Sequence, residues 1–184
     1  MNKLALAICA LSLTILTTFS SFAQKKDSGY DKGTFLINGG LSVGGFLYSS
    51  YYYDNVSFPA LMVNAEWSVH PWVGVGPYVG FRGYDNGSTI AVGARGTFHY
   101  AQFIPSINTD KVDLYGTIHI GPTLTHRNWD KVNHPYYNDN NYTGFTFGPV
   151  AGARYFFGGG GFGAFGEVGW GPLGFLTIGL SGKF

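Results

Sequence analysis

The stretch Thr177-Ile178-Gly179-Leu180-Ser181-Gly182-Lys183-Phe184 decides the fold. Successive side chains of a strand point to opposite faces, so Ile178, Leu180 and Phe184 share one face with Gly182. Thr177, Ser181 and Lys183 share the other with Gly179. A terminal strand with an apolar face is an aggregation hazard on an open sheet. In a barrel closed on itself there is no edge to expose.

The pattern polar-x-Gly-x-x-apolar-x-aromatic, carried by Gly179 and Phe184, resembles the carboxy-terminal signal that directs bacterial outer-membrane barrels to their assembly machinery. Gly182 stands where a hydrophobic residue is usual. The resemblance implies two partners, outer-membrane lipid and the barrel assembly machinery.

The amino-terminus agrees with export. Met1-Asn2-Lys3, an apolar run from Leu4 to Leu16 and small residues at Ser21 and Ala23 predict a secretory leader over 1–23, cleaved before Gln24. Cys9, the single cysteine, lies inside that leader, so the mature chain is expected to have no disulfide or thiol chemistry. A polar periplasmic lead-in is expected over 24–32 and one barrel domain over 33–184.

Composition describes a wall not meant for water. Charged residues are 11% of the chain, against about 25% in ordinary globular domains, while aromatics reach 18% and glycines number 29. Acidic and basic residues nearly balance, at 10 and 11, so nothing points to nucleic acid. No mature segment is a continuous apolar run long enough for a spanning helix, and strands must do the spanning.

Eight segments of alternating character follow: Thr34–Leu47, Ala60–Val69, Val73–Arg82, Ile90–Tyr100, Asp113–Thr125, Thr143–Phe156, Phe162–Trp170 and Gly174–Phe184. The fold expected is all-β, a closed antiparallel eight-stranded transmembrane barrel. The seven charges Glu66, Arg82, Arg95, Asp113, Arg154, Glu167 and Lys183 all fall on the Gly-rich face of their strands. As a soluble exterior that face is poor. Turned inward, its glycines make room in a lumen just wide enough for side chains, and the apolar face meets lipid.

With both termini periplasmic, the expected periplasmic turns are His70–Trp72, Phe103–Val112 and Gly158–Gly161. The outer loops are Ser49–Ser57, Asp85–Ser88, His126–Tyr142 and Gly171–Leu173. Gly-Pro recurs at Gly76-Pro77, Gly121-Pro122, Gly148-Pro149 and Gly171-Pro172. Because proline removes a ladder donor, the first three are expected at bulges or strand ends.

Taken together the layout resembles the eight-stranded OmpA/OmpX-like outer-membrane barrel superfamily, the outer-membrane β-barrel or porin-family group. The resemblance spans the mature chain as a pattern and implies fold and an outer-membrane location, with no particular activity.

The lumen charges have two readings: an anion-attracting constriction, or a plug of ion pairs, since buried charge is tolerable only when paired. The narrowness of eight strands favours the plug. Tyr51, Tyr52, Tyr53, Trp129, Tyr136 and Tyr137 sit in outer loops one and three as contact candidates for an extracellular ligand, or as part of an interfacial aromatic girdle. His126 and His134 lack metal-ligand spacing, and no Gly-x-Ser-x-Gly is present. No catalytic residue, metal or cofactor is assigned. The expectation is a monomeric, non-enzymatic barrel acting through its outer loops, with a small passive pore and a lipid-modifying enzyme as alternatives.

Overall fold

The computed structural model describes residues 30–44, 59–85, 87–127 and 141–184. Within them the chain forms β1 (Phe35–Val43), β2 (Ala60–His70), β3 (Val73–Tyr84), β4 (Gly87–His99), β5 (Val112–Arg127), β6 (Asn141–Phe156), β7 (Phe162–Gly169) and β8 (Leu176–Lys183). Each strand pairs antiparallel with its sequence neighbours, and β1 pairs with β8, so the sheet closes. Phe184 completes the seam. Its N–H donates to the Phe35 carbonyl at 2.8 Å and its carbonyl accepts from Phe35 N–H at 2.9 Å.

Following paired residues round the barrel, Thr143 leads through Leu124, Ile90, Phe81, Leu61, Leu41, Ile178 and Gly166 to Ala153, ten residues further along β6. That stagger belongs to strands tilted by about 40°. One rim carries the start of β1 and the end of β8 and is here the terminal rim; the opposite one is the loop rim.

Alternation sorts the two faces. Outward positions such as Leu61, Val63, Trp67, Ile118, Ile120, Phe145, Phe147 and Leu180 are exposed, while Asn38, Asn64, Glu66, Thr97, Thr117 and Ser181 are buried. The interior of this barrel is therefore polar and its exterior apolar, the inverse of a soluble protein.

Strand limits differ from the sequence expectation chiefly at the loop rim. β4 begins at Gly87, β5 continues to Arg127 and β6 begins at Asn141. The hydrogen bond between His126 Nδ1 and Asn141 Oδ1, at 2.8 Å, extends the β5–β6 hairpin into what was expected to be loop.

The expectation for the Gly-Pro pairs is corrected. Pro77, Pro122 and Pro149 lie inside β3, β5 and β6, and the register on either side does not shift. The register shift in β2–β3 lies instead between Ser68 and His70. What the pairs do is bring strands together. A Cβ at Gly76 would overlap the Ala65 carbonyl, and one at Gly121 the Val92 carbonyl. Glycine lets the neighbouring backbone into the space a side chain would occupy.

Candidate functional site

In the half of the lumen nearest the terminal rim, side chains of β4, of β6 and of the segment before β1 converge on Glu66 of β2. Its Oε1 accepts from His99 Nε2 at 2.7 Å and from Tyr30 Oη at 2.9 Å. Its Oε2 accepts from Thr97 Oγ1 at 3.0 Å and Arg154 Nη2 at 3.1 Å, with Arg95 Nη2 at 3.9 Å. Glu66 is wholly buried, and its four hydrogen bonds fill the acceptor capacity of a carboxylate.

Two further carboxylates extend the cluster. Asp113 accepts from His99 Nδ1 at 2.9 Å and from Arg154 Nη1 at 2.7 Å. Glu167 accepts from Arg95 Nη2 at 3.0 Å and Tyr115 Oη at 2.9 Å. His99 thus has a carboxylate oxygen on each ring nitrogen, an arrangement satisfied on both sides when both nitrogens carry protons. Three anions then face three cations.

Packing explains why the cluster can exist. Tyr115 lies across from Gly152, where a Cβ would overlap its ring, and its face receives the Arg154 guanidinium at 3.9 Å from the centroid. Phe165 lies across from Gly179 in the same way, filling the space beside Gly40. A large inward side chain is opposed by glycine across the ladder, so the wall recedes where the lumen is fullest.

Toward the loop rim the interior changes character. Ala60, Met62, Tyr78, Ala91 and Leu173 form a buried apolar layer. Leu173 comes from the β7–β8 connection and reaches the space beside Gly80. Beyond that layer lie Arg82, Thr89, Thr123 and Thr146, all buried.

Of the seven charges read from the sequence, Glu66, Arg95, Asp113, Arg154 and Glu167 are brought together. Arg82 stands apart in the loop-rim half. Lys183 is half-buried at the terminal rim, its Nζ 4.5 Å from the Phe156 ring centroid. Gly179 is in β8, and its missing Cβ leaves room for the Gly39 carbonyl. The contact candidates Tyr51, Tyr52, Tyr53, Trp129, Tyr136 and Tyr137 fall outside the described residues, as does the leader. Among the described residues no group of three or more His, Cys, Asp or Glu is placed to hold a metal ion.

Sequence reasoning missed Tyr30, assigned to a loose lead-in. Its ring stacks on His99 at 3.4 Å between centroids, and its hydroxyl bonds Glu66. Gly33 N–H to Ser68 O and Ser68 N–H to Thr34 O, both 2.9 Å, fasten the segment behind it to the end of β2. Burial, then the Glu66 charge, push the Tyr30 phenol well above its ordinary range. The stability its bond contributes is complete below the phenol's ordinary pKa of about 10 and is lost as pH rises beyond it. Tyr30→Phe is expected to lower the unfolding free energy by about 1 kcal/mol at neutral pH, read as a shift in the urea midpoint of the folded barrel. An unmoved midpoint would contradict the bond's contribution.

No protein-family model matches the sequence, and no curated protein matches it. Among solved structures the chain is similar to the N-terminal β-barrel domain of Pseudomonas aeruginosa OprF, at 11% identity and a TM-score of 0.50, over 84% of this chain and 98% of that one. It is also similar to the outer membrane protein OprG of Pseudomonas aeruginosa (12% identity, TM-score 0.46, 86% and 99% covered). A third is Ail, the attachment invasion locus protein of Yersinia pestis (14%, 0.45, 83% and 99%). At 11% identity the likeness to the OprF barrel domain is one of fold alone.

Proposed function

We propose that this chain is an integral outer-membrane barrel whose lumen is closed by paired charges and whose role is structural or surface interaction through the loops of its loop rim. The observation that carries this is the outward face. From Phe35 to Leu180 the described outward positions of the strands bear no Lys, Arg, Asp or Glu, and apolar side chains are exposed around the whole circumference. A soluble monomer seldom exposes an apolar patch beyond a few hundred Å²; a barrel in lipid needs such a belt. The terminal rim then faces the periplasm, in keeping with the export leader expected over 1–23, and the loop rim faces outward.

Two layers support the plug: the charge cluster around Glu66 and the apolar layer around Leu173. The lumen is spanned by side chains tied to one another, which leaves the loops as the surface for a partner.

The experiment separates insertion from recognition. Deleting Tyr51 to Asn55 and Asp130 to Asn140, sparing Asn141 in β6, is expected to leave outer-membrane fractionation and heat-modifiable gel migration intact. Adhesion or ligand capture by cells carrying the intact protein is expected to disappear. Recovery of the intact protein in the soluble periplasm would overturn the membrane placement, and adhesion that survives both deletions would overturn the role of the loops.

A further inference from the structure

We infer that the loop-rim half of the lumen is a binding site for an oxyanion, held by the Arg82 guanidinium and the Thr146 hydroxyl. This goes beyond the structural and loop-borne role above, because it assigns a ligand to the interior of the barrel. Arg82 is 4% exposed; its Nε has no hydrogen-bond partner, and no carboxylate among the described residues pairs with it. A buried guanidinium without a counter-charge is costly.

The carboxylates below cannot supply that charge. Glu66, Asp113 and Glu167 are engaged by Arg95, Arg154 and His99. The apolar layer of Ala60, Met62, Tyr78, Ala91 and Leu173 lies between them and Arg82. Two residues down β3 from Arg82, the wall is Gly80, with Leu173 Cδ1 2.7 Å from where its Cβ would be. The excess charge therefore belongs to the compartment beyond that layer.

The ladder places hydroxyls beside Arg82. Thr89 lies directly across the β3–β4 ladder, and its Oγ1 is 2.9 Å from Thr125 Oγ1. Thr123 is buried on β5. Thr146 on β6 is 7% exposed, and its Oγ1 has no partner. Two inward-facing strands thus each present an unsatisfied donor to the same compartment. Guanidinium donates only, and a threonine hydroxyl can donate as well as accept. A ligand that satisfies both is negative and rich in acceptors, a phosphate-like oxyanion; a metal cation is repelled by Arg82. Such a group is supplied by a free anion or by the phosphate of a lipid headgroup. Arg82 sits two residues before the end of β3, at Tyr84, so the compartment lies at the rim that both sources reach.

The test uses the whole chain folded in a phosphate-free glucoside detergent and titrated with inorganic phosphate. The readouts are the phosphorus resonance line width and the thermal unfolding midpoint, each against chloride at equal ionic strength. Saturable broadening and a rising midpoint are expected. Arg82→Gln should weaken binding at least tenfold, Arg82→Lys less, and Thr146→Val severalfold. If Arg82→Gln fails to fold, Thr146→Val carries the comparison. Phosphatidylglycerol doped into the micelles identifies the source: displacement of inorganic phosphate marks a lipid headgroup, and unchanged binding marks a free anion. The absence of saturable binding in the intact chain, as when a carboxylate of its own loops already occupies the site, would overturn the inference. So would an affinity unchanged in both variants.

Discussion

Glu66→Gln is expected to lower the unfolding free energy of the barrel by roughly 3–5 kcal/mol, the range for breaking a buried charge pair from one side. Glu66 is wholly buried and is the one carboxylate joined to Tyr30, Thr97, His99 and Arg154 together. The amide that replaces it turns a donor toward a lumen of donors, leaving Arg154 and His99 with Asp113 alone between them. Glu167→Gln should cost less, because Glu167 is less completely buried and has two hydrogen-bond partners, Arg95 and Tyr115. Adding Arg154→Met to Glu66→Gln should cost less than the two single changes summed, as residues of one network couple. Urea unfolding in vesicles, followed by heat-modifiable migration, gives all four values. A midpoint for Glu66→Gln equal to that of the parent would mean that water, not protein, satisfies the cluster.

Gly76→Ala is expected to destabilise the barrel by about 3 kcal/mol or more, at the upper end of overpacking effects. The new Cβ overlaps the Ala65 carbonyl oxygen and comes within 3.0 Å of Glu66 Cα. Both are backbone atoms, so relief requires moving β2 away from β3 beside the residue on which the charge cluster converges. Gly116→Ala is the control, since a Cβ there meets nothing within 4 Å and alanine costs less conformational entropy than glycine. Folding yield into vesicles and the unfolding midpoint should separate the two by a wide margin. Equal behaviour would mean that the close approach of the strands at Gly76-Pro77 is not required.

The wall was legible because a strand of period two in a two-sided environment writes its environment into alternate residues. Leu61, Val63, Trp67 and Val69 against Met62, Asn64, Glu66 and Ser68 carry both the strand and its orientation. The closing strand was legible in the same way from Ile178, Leu180 and Phe184. The interior partnerships were less so. That Glu66 lies on the inner face follows from parity, but its meeting with Arg154 depends on stagger accumulated over four strands, which local pattern does not hold. Tyr30 is a sharper case. A lone aromatic in a polar stretch carries no periodicity, and it is the ladder bonds of Gly33 and Thr34 to Ser68, with the hydroxyl bond to Glu66, that hold it against His99. The Gly-Pro pairs were recognised but their effect was misread, because a missing donor and a missing Cβ in adjacent residues combine into close strand approach.

Planar-bilayer recording of the folded intact chain tests the closed lumen most directly. Insertion is verified in the same vesicles by heat-modifiable migration and by protection of the strands from protease. On the proposal that the charge cluster around Glu66 and the apolar layer around Leu173 close the lumen, bilayers containing inserted protein are expected to show no steady ionic current above that of lipid alone. A reproducible ohmic conductance that scales with inserted protein would contradict the closed barrel and return the chain to the class of small passive pores.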